Sequence, residues 1–112
     1  MAGNREALAR LLAEAGAEYR HALPGKLAEI ELLWLAKVEG TLSAEKSEEL
    51  QRLVHTIAGS ARTLGLPAVS EAARALDVAI SSSDCPAGSM PADRVERTRK
   101  LVEALKRSAG NG

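Results

Sequence analysis

The residue of this chain with the clearest capacity for chemistry is His55, which lies in the segment of residues 54–65. Successive residues of an α-helix turn by about 100°, so apolar residues three or four positions apart share one face. Here the shared apolar face holds Leu50, Leu53, Ile57, Ala61 and Leu64. His55 projects from the opposite face. An imidazole that stands in solvent suits a nucleophile.

The residues beside His55 on the open face are small or basic, apart from one glutamine. They are Gln51, Arg52, Ala58, Gly59 and Arg62. A glycine in the middle of a helix costs about 1 kcal/mol relative to alanine, so Gly59 indicates a packing or functional requirement. Because Gly59 follows His55 by one turn, it leaves room for a large group to approach the imidazole.

No other group for catalysis accompanies His55 along its helix. No Asp or Glu stands one turn from it, so we expect the imidazole to act alone on an activated electrophile. His21 is remote in sequence and Cys85 falls in a predicted loop, so no metal site is indicated. The chain has no glycine-rich phosphate loop, and we expect no cofactor. The alternative is an exposed histidine without a role, which leaves Gly59 unexplained.

Composition places the chain among small helical proteins. Its 112 residues predict one domain over residues 1–112. Fifteen acidic and fifteen basic residues cancel, so nucleic acid is not an expected partner. Cys85 is the single cysteine, which excludes an intramolecular disulfide and suits a reducing compartment. No apolar run reaches the roughly 20 residues of a membrane span, so we expect a cytoplasmic protein without membrane contact.

Capping and helix-breaking residues predict five helical segments. The first begins near Asn4, a good N-cap, and Gly16 weakens its continuation. The second begins at Pro24, a residue favoured in the first turn, and ends at Gly40.

The helix with His55 is the third. Its predicted cap is Ser43, with Ser47 as a second candidate, and Gly65 ends it. Pro67 begins the fourth helix, residues 81–89 form a loop, and Pro91 begins the fifth. Short links between amphipathic helices favour antiparallel neighbours. The expected fold is therefore an all-α, antiparallel up-down four-helix bundle with a short extra N-terminal helix.

Two consecutive motifs resemble those of a known family. Residues 55–65 read His-Thr-Ile-Ala-Gly-Ser-Ala-x-x-Leu-Gly. Residues 69–77 read Val-Ser-Glu-x-Ala-x-x-Leu-Asp. The first resembles the signature of histidine-containing phosphotransfer (Hpt) domains, and the second resembles the helix that follows it in that family.

The resemblance implies a carrier in a two-component phosphorelay. Such a domain accepts a phosphoryl group on its histidine, here His55, from the aspartyl phosphate of a response-regulator receiver domain and passes it to another receiver. The implied partners are receiver domains and a hybrid histidine kinase, with Mg²⁺ supplied by the receiver. The domain has no ATP-dependent kinase activity of its own.

One position departs from the family pattern. The family often has lysine three residues after the histidine, where this chain has Ala58. A nearby cation at an exposed site is worth about 0.3–1 kcal/mol, and Arg62 or Arg52 is the candidate replacement. The arginines are equally compatible with a solvated face.

Ala58 also supports a second function class. In that alternative the domain is not phosphorylated, and it binds or inhibits a receiver domain. A purely structural helical bundle is a third possibility, and it leaves Gly59 without a reason.

Overall fold

The computed structural model of the chain describes residues 2–81 and 91–110. These residues form four α-helices: α1 (Ala2–Glu39), α2 (Ala44–Thr63), α3 (Pro67–Ser81) and α4 (Ala92–Gly110). Each helix packs on the next one in sequence, and α4 returns to α1, which closes the bundle. The predicted all-α helical bundle is confirmed.

The first two predicted helices are one helix, so the short extra N-terminal helix is not a separate element. Pro24 lies inside α1 and is exposed. Proline in a helix interior costs about 3 kcal/mol because it removes a hydrogen bond and crowds the preceding turn. Burial of a large apolar side chain contributes about 1.5–3 kcal/mol, and four on the same face of α1 are buried. They are Leu23, Leu27, Ile30 and Trp34. Their packing outweighs the break at Pro24.

Gly16 also lies within α1 rather than at its end. A Cβ built on Gly16 would stand 3.2 Å from the carbonyl oxygen of Leu64, at the C-terminal end of α2. The glycine therefore lets α1 approach α2 closely. Residues 3–14, on the N-terminal side of this contact, are all exposed. The molecule measures 57 × 25 × 21 Å, and this projecting part of α1 carries exposed Leu8, Leu11 and Leu12.

The ends of α2 agree with the sequence predictions. The Ser43 hydroxyl accepts a hydrogen bond from the Lys46 N–H at 3.2 Å, which caps the helix. Gly65 has φ of +80°, a left-handed conformation that favours glycine. Pro67 then begins α3. Gly40 likewise has φ of +79° immediately after α1.

The core is apolar and draws on all four helices. Its side chains with 1% exposure or less are Leu23, Ile30, Leu50, Val54, Ile57, Ala61, Ala73, Leu76 and Leu105. Of the face predicted for α2, Leu50, Ile57 and Ala61 are buried, whereas Leu53 and Leu64 are half-buried. Ser81 is the last residue of α3. The rest of the predicted 81–89 loop, including Cys85, lies outside the described residues.

We expect Pro24→Ala to stabilise the protein. Alanine restores the N–H that can reach the carbonyl of Arg20 and removes the steric conflict, which together are worth about 2 kcal/mol after the loss of proline's restraint on the unfolded chain. Urea unfolding monitored by circular dichroism measures the change. If Pro24→Ala lowered the free energy of unfolding, α1 would depend on the proline rather than tolerate it.

Candidate functional site

His55 stands near the middle of α2 with 79% of its side chain exposed. Its exposure follows from its neighbours in sequence, because Val54 and Ile57 are buried in the core. A single orientation of α2 about its axis buries both Val54 and Ile57. The same orientation directs the side chain of residue 55 into solvent.

A carboxylate from another helix meets the imidazole. Asp77 of α3 places Oδ2 3.1 Å from Nδ1 of His55. The expectation that the imidazole acts without such a partner is therefore wrong, since helical spacing within α2 says nothing about α3. A carboxylate oxygen accepts, so Nδ1 is the donor of this contact, and in a neutral ring the lone pair then lies on Nε2. The contact orients the ring and leaves Nε2 directed away from Asp77.

The groove between α2 and α3 has two further polar contacts. The Gln51 amide donates to the Ser81 hydroxyl at 2.7 Å. The buried Ser70 hydroxyl donates to the Ala58 carbonyl at 2.7 Å. Together with the contact of His55 and Asp77, they set the register of the two helices. An open cavity of about 530 Å³ lies along the groove, lined by Glu48, Gln51, Arg52, His55, Asp77 and Ser81.

Ala58 is not on the open face where the helical wheel places it. Its exposure is only 9%, because α3 packs over this flank of α2. The Ser70 hydroxyl of α3 donates a hydrogen bond to the Ala58 carbonyl oxygen. Gln51, Arg52, Gly59 and Arg62 are exposed, as expected.

Open space surrounds Gly59. A Cβ built there would meet nothing within 4 Å, so the protein's own packing does not require glycine. A shallow concavity of about 600 Å³ lies here, lined by His55, Thr56, Gly59, Ser60, Thr63 and Leu64. Because Gly59 has no side chain, the surface is recessed beside the imidazole on the side away from Asp77.

The same concavity borders the contact between α2 and α1. Burial raises the pKa of the Tyr19 phenol above its ordinary value, and the neighbouring Ser60 hydroxyl offsets part of the rise. The Tyr19 hydroxyl lies near Ser60 but does not form a hydrogen bond of full geometry with it. Tyr19 therefore serves as a neutral packing residue beneath this edge of the site.

The arginines flank His55 on different sides. Arg52 lines the cavity that contains Asp77. Arg62 lines a separate cavity of about 290 Å³ with Arg74 of α3. Sequence reasoning missed Arg74 and Asp77, although both lie in the motif of residues 69–77 and are three positions apart on one helix.

Within residues 2–81 and 91–110, no group of three or more His, Cys, Asp or Glu side chains is arranged to hold a metal ion. Across the same residues, no helix combines the length and the hydropathy required to cross a bilayer.

The family model described as Hpt domain matches residues 5–108, nearly the whole chain. The chain belongs to the Hpt domain family. Hpt domains carry out histidine phosphotransfer in two-component signalling, as carriers rather than kinases, and they interact with receiver domains and histidine kinases. No match is found among curated proteins or among solved structures.

We expect Gly59→Ala to separate stability from phosphotransfer. Alanine raises the helical stability of α2 by about 1 kcal/mol, and its methyl group meets open space in the free protein. The same methyl stands in the path of a partner that approaches His55, so the phosphotransfer rate falls. Urea unfolding and a phosphotransfer time course measure the two effects.

Gly25→Ala is the matched control, because it adds a methyl in equally open space on α1. It shares the gain in helix propensity without touching the site. If Gly59→Ala carried out phosphotransfer as fast as Gly25→Ala, the partner would not need the open space at Gly59.

Proposed function

We propose that His55 is the phosphoacceptor of this Hpt domain. It takes a phosphoryl group from the aspartyl phosphate of one receiver domain and gives it to another. The observation that carries the proposal is the imidazole itself, 79% exposed and contacted at Nδ1 by Asp77 at 3.1 Å. An accessible Nε2 lone pair on an oriented ring is what an attack on phosphorus requires.

The transfer step is a displacement at phosphorus. The bond from Nε2 to phosphorus forms in line with the breaking bond between phosphorus and the receiver's aspartate oxygen, and that oxygen keeps the electron pair. The ring gains positive charge while Nδ1 keeps its proton. Asp77 stabilises that charge through the hydrogen bond. The reverse step on a second receiver returns the ring to its neutral form.

The receiver supplies the rest of the chemistry, as the family implies. Mg²⁺ and a lysine on the receiver neutralise the phosphoryl oxygens in the transition state. The Hpt domain supplies the nucleophile and the docking surface. On this chain the surface consists of Gln51, Arg52, Gly59 and Arg62 around His55, with Ala58 buried at its edge. Transient signalling contacts of this kind are small.

A phosphotransfer time course with His55→Gln tests the proposal. The protein is offered to a panel of radiolabelled receiver domains, and we expect label to move to the wild type in an acid-labile, alkali-stable form. We expect no transfer to His55→Gln, because glutamine has no nucleophilic ring nitrogen. Circular dichroism of the variant checks that an exposed substitution leaves the fold intact.

The second candidate function is a receiver-binding module that is never phosphorylated, and Ala58 in the usual lysine position favours it. The same panel distinguishes the two functions. A receiver that binds the wild type but keeps its label would refute His55 as a phosphoacceptor and support the binding module.

We expect Asp77→Asn to slow phosphotransfer about tenfold, the equivalent of about 1.4 kcal/mol for one charge-assisted hydrogen bond at a half-open site. Nitrogen NMR of the ring reports the cause, since the asparagine amide lacks the negative charge and can turn its NH2 donor towards Nδ1, which favours the tautomer with the proton on Nε2. Asp77→Glu restores a carboxylate and part of the rate.

The control is Asp93→Asn, which removes an exposed carboxylate on α4. An unchanged tautomer together with an unchanged transfer rate in Asp77→Asn would contradict the positioning role.

A further inference from the structure

We propose that Arg62 and Arg74 form a docking subsite that takes the acidic surface flanking the receiver's aspartyl phosphate. The inference rests on the proposed function of His55 and adds the residues that orient the partner on it. Arg62 comes from α2 and Arg74 from α3, and both line the cavity of about 290 Å³ with Pro67, Ser70 and Glu71.

Arg62 and Arg74 both line this cavity, and both are exposed. Among the residues that the structure describes, neither Arg62 nor Arg74 forms an ion pair, and Glu71 contacts neither closely enough to form one. By contrast, Arg97 and Arg99 on α4 are both paired with carboxylates. Two like charges on the lining of one cavity repel each other, and an incoming anionic group relieves that repulsion.

The net charge of the groove between α2 and α3 differs on the two sides of His55. On one side, Arg52 lies with Glu48 and Asp77 in one cavity, which gives a net negative charge. On the other side, Arg62 and Arg74 lie with the single carboxylate of Glu71, which gives a net positive charge. A partner with an asymmetric charge distribution therefore has one preferred orientation across His55.

The chemistry of the phosphoryl donor, a receiver domain, indicates which part of its surface contacts the cavity lined by Arg62 and Arg74. Mg²⁺ in phosphoryl-transfer sites is held by carboxylates together with phosphate oxygens, so a receiver that brings its own Mg²⁺ presents acidic side chains around the aspartyl phosphate. When phosphorus lies over His55, these carboxylates reach the next turn of the groove. Arginine suits this contact because its planar guanidinium binds carboxylates in a bidentate manner.

The location favours the partner's carboxylates over the phosphoryl group itself. Arg62 follows His55 by seven residues, about 10 Å along the helix axis at 1.5 Å per residue. Arginine side chains lean towards the N-terminus of their own helix. In the antiparallel pair, Arg74 of α3 leans away from Asp77 and towards the end of α2 that holds Arg62. The cavity that the two arginines line does not include His55, so their charges lie beside the phosphoryl position rather than on it.

The test compares Arg62→Gln/Arg74→Gln with wild type, using the radiolabelled receiver that transfers fastest to the wild type. We expect the second-order transfer rate to fall about tenfold at low salt, and the difference to disappear at high salt because the contact is electrostatic. Arg107→Gln is the matched control, since it removes an exposed arginine from α4. It should transfer like the wild type at every salt concentration.

Phosphoramidate, a small donor without a docking surface, distinguishes the two sources of negative charge. If the arginines bind the receiver, the double variant accepts phosphoryl from phosphoramidate at the wild-type rate. Equal slowing with both donors would overturn the proposal and assign the arginines to the phosphoryl group. An unchanged rate with the receiver would overturn it while leaving His55 as acceptor. A wild type that accepts from no receiver would overturn the proposed function, and the docking subsite with it.

Discussion

Burial of one face of α2 is the constraint on which the rest of the site depends. Leu50, Val54 and Ile57 have at most 1% exposure, and a rigid helix can hide all three in only one rotation. That rotation turns His55 outward at 79% exposure. The exposure of His55 thus follows from core packing, and several large apolar side chains oppose any movement of the histidine into the bundle.

The register of α3 on α2 decides the chemistry available to that histidine. The buried hydrogen bond from Ser70 to the Ala58 carbonyl ties the two helices together close to the site. It places Asp77 against Nδ1 and Arg74 beside Arg62. One interface therefore supplies both the group that orients the ring and the charges proposed to orient the partner. A buried polar contact of this kind resists sliding, because a slipped register leaves its hydroxyl and carbonyl unpaired.

The replacement of lysine by Ala58 is understandable in this setting. Position 58 lies under α3 with 9% exposure, so its side chain points into a helix contact. The positive charge of the site lies instead on the rims of the groove, on Arg52, Arg62 and Arg74. In the transfer that we propose, charge near the phosphoryl group comes mainly from the receiver, and the Hpt domain uses its own charges for docking.

The long first helix shows where local signals mislead. Pro24 and Gly16 are residues that usually end helices, and they favour a break between two segments. The helix continues through both because Leu23 and Leu27 on either side of the proline are buried against the bundle, and because Gly16 provides the space for α1 to meet the Leu64 carbonyl. Propensity is a local quantity, and packing free energy at this position exceeds it.

The sequence by itself determined the helical class, the caps of α2 and the outward direction of His55. These follow from periodicity and from the backbone preferences of residues such as Ser43 and Gly65, which act within a few positions of the chain. Only the tertiary structure decided that Asp77 reaches the imidazole, that Ala58 is covered, and that Arg74 joins Arg62. Those contacts depend on how far α3 slides and rotates on α2, and that is set by the fit of side chains between helices, which helical spacing within one helix does not encode.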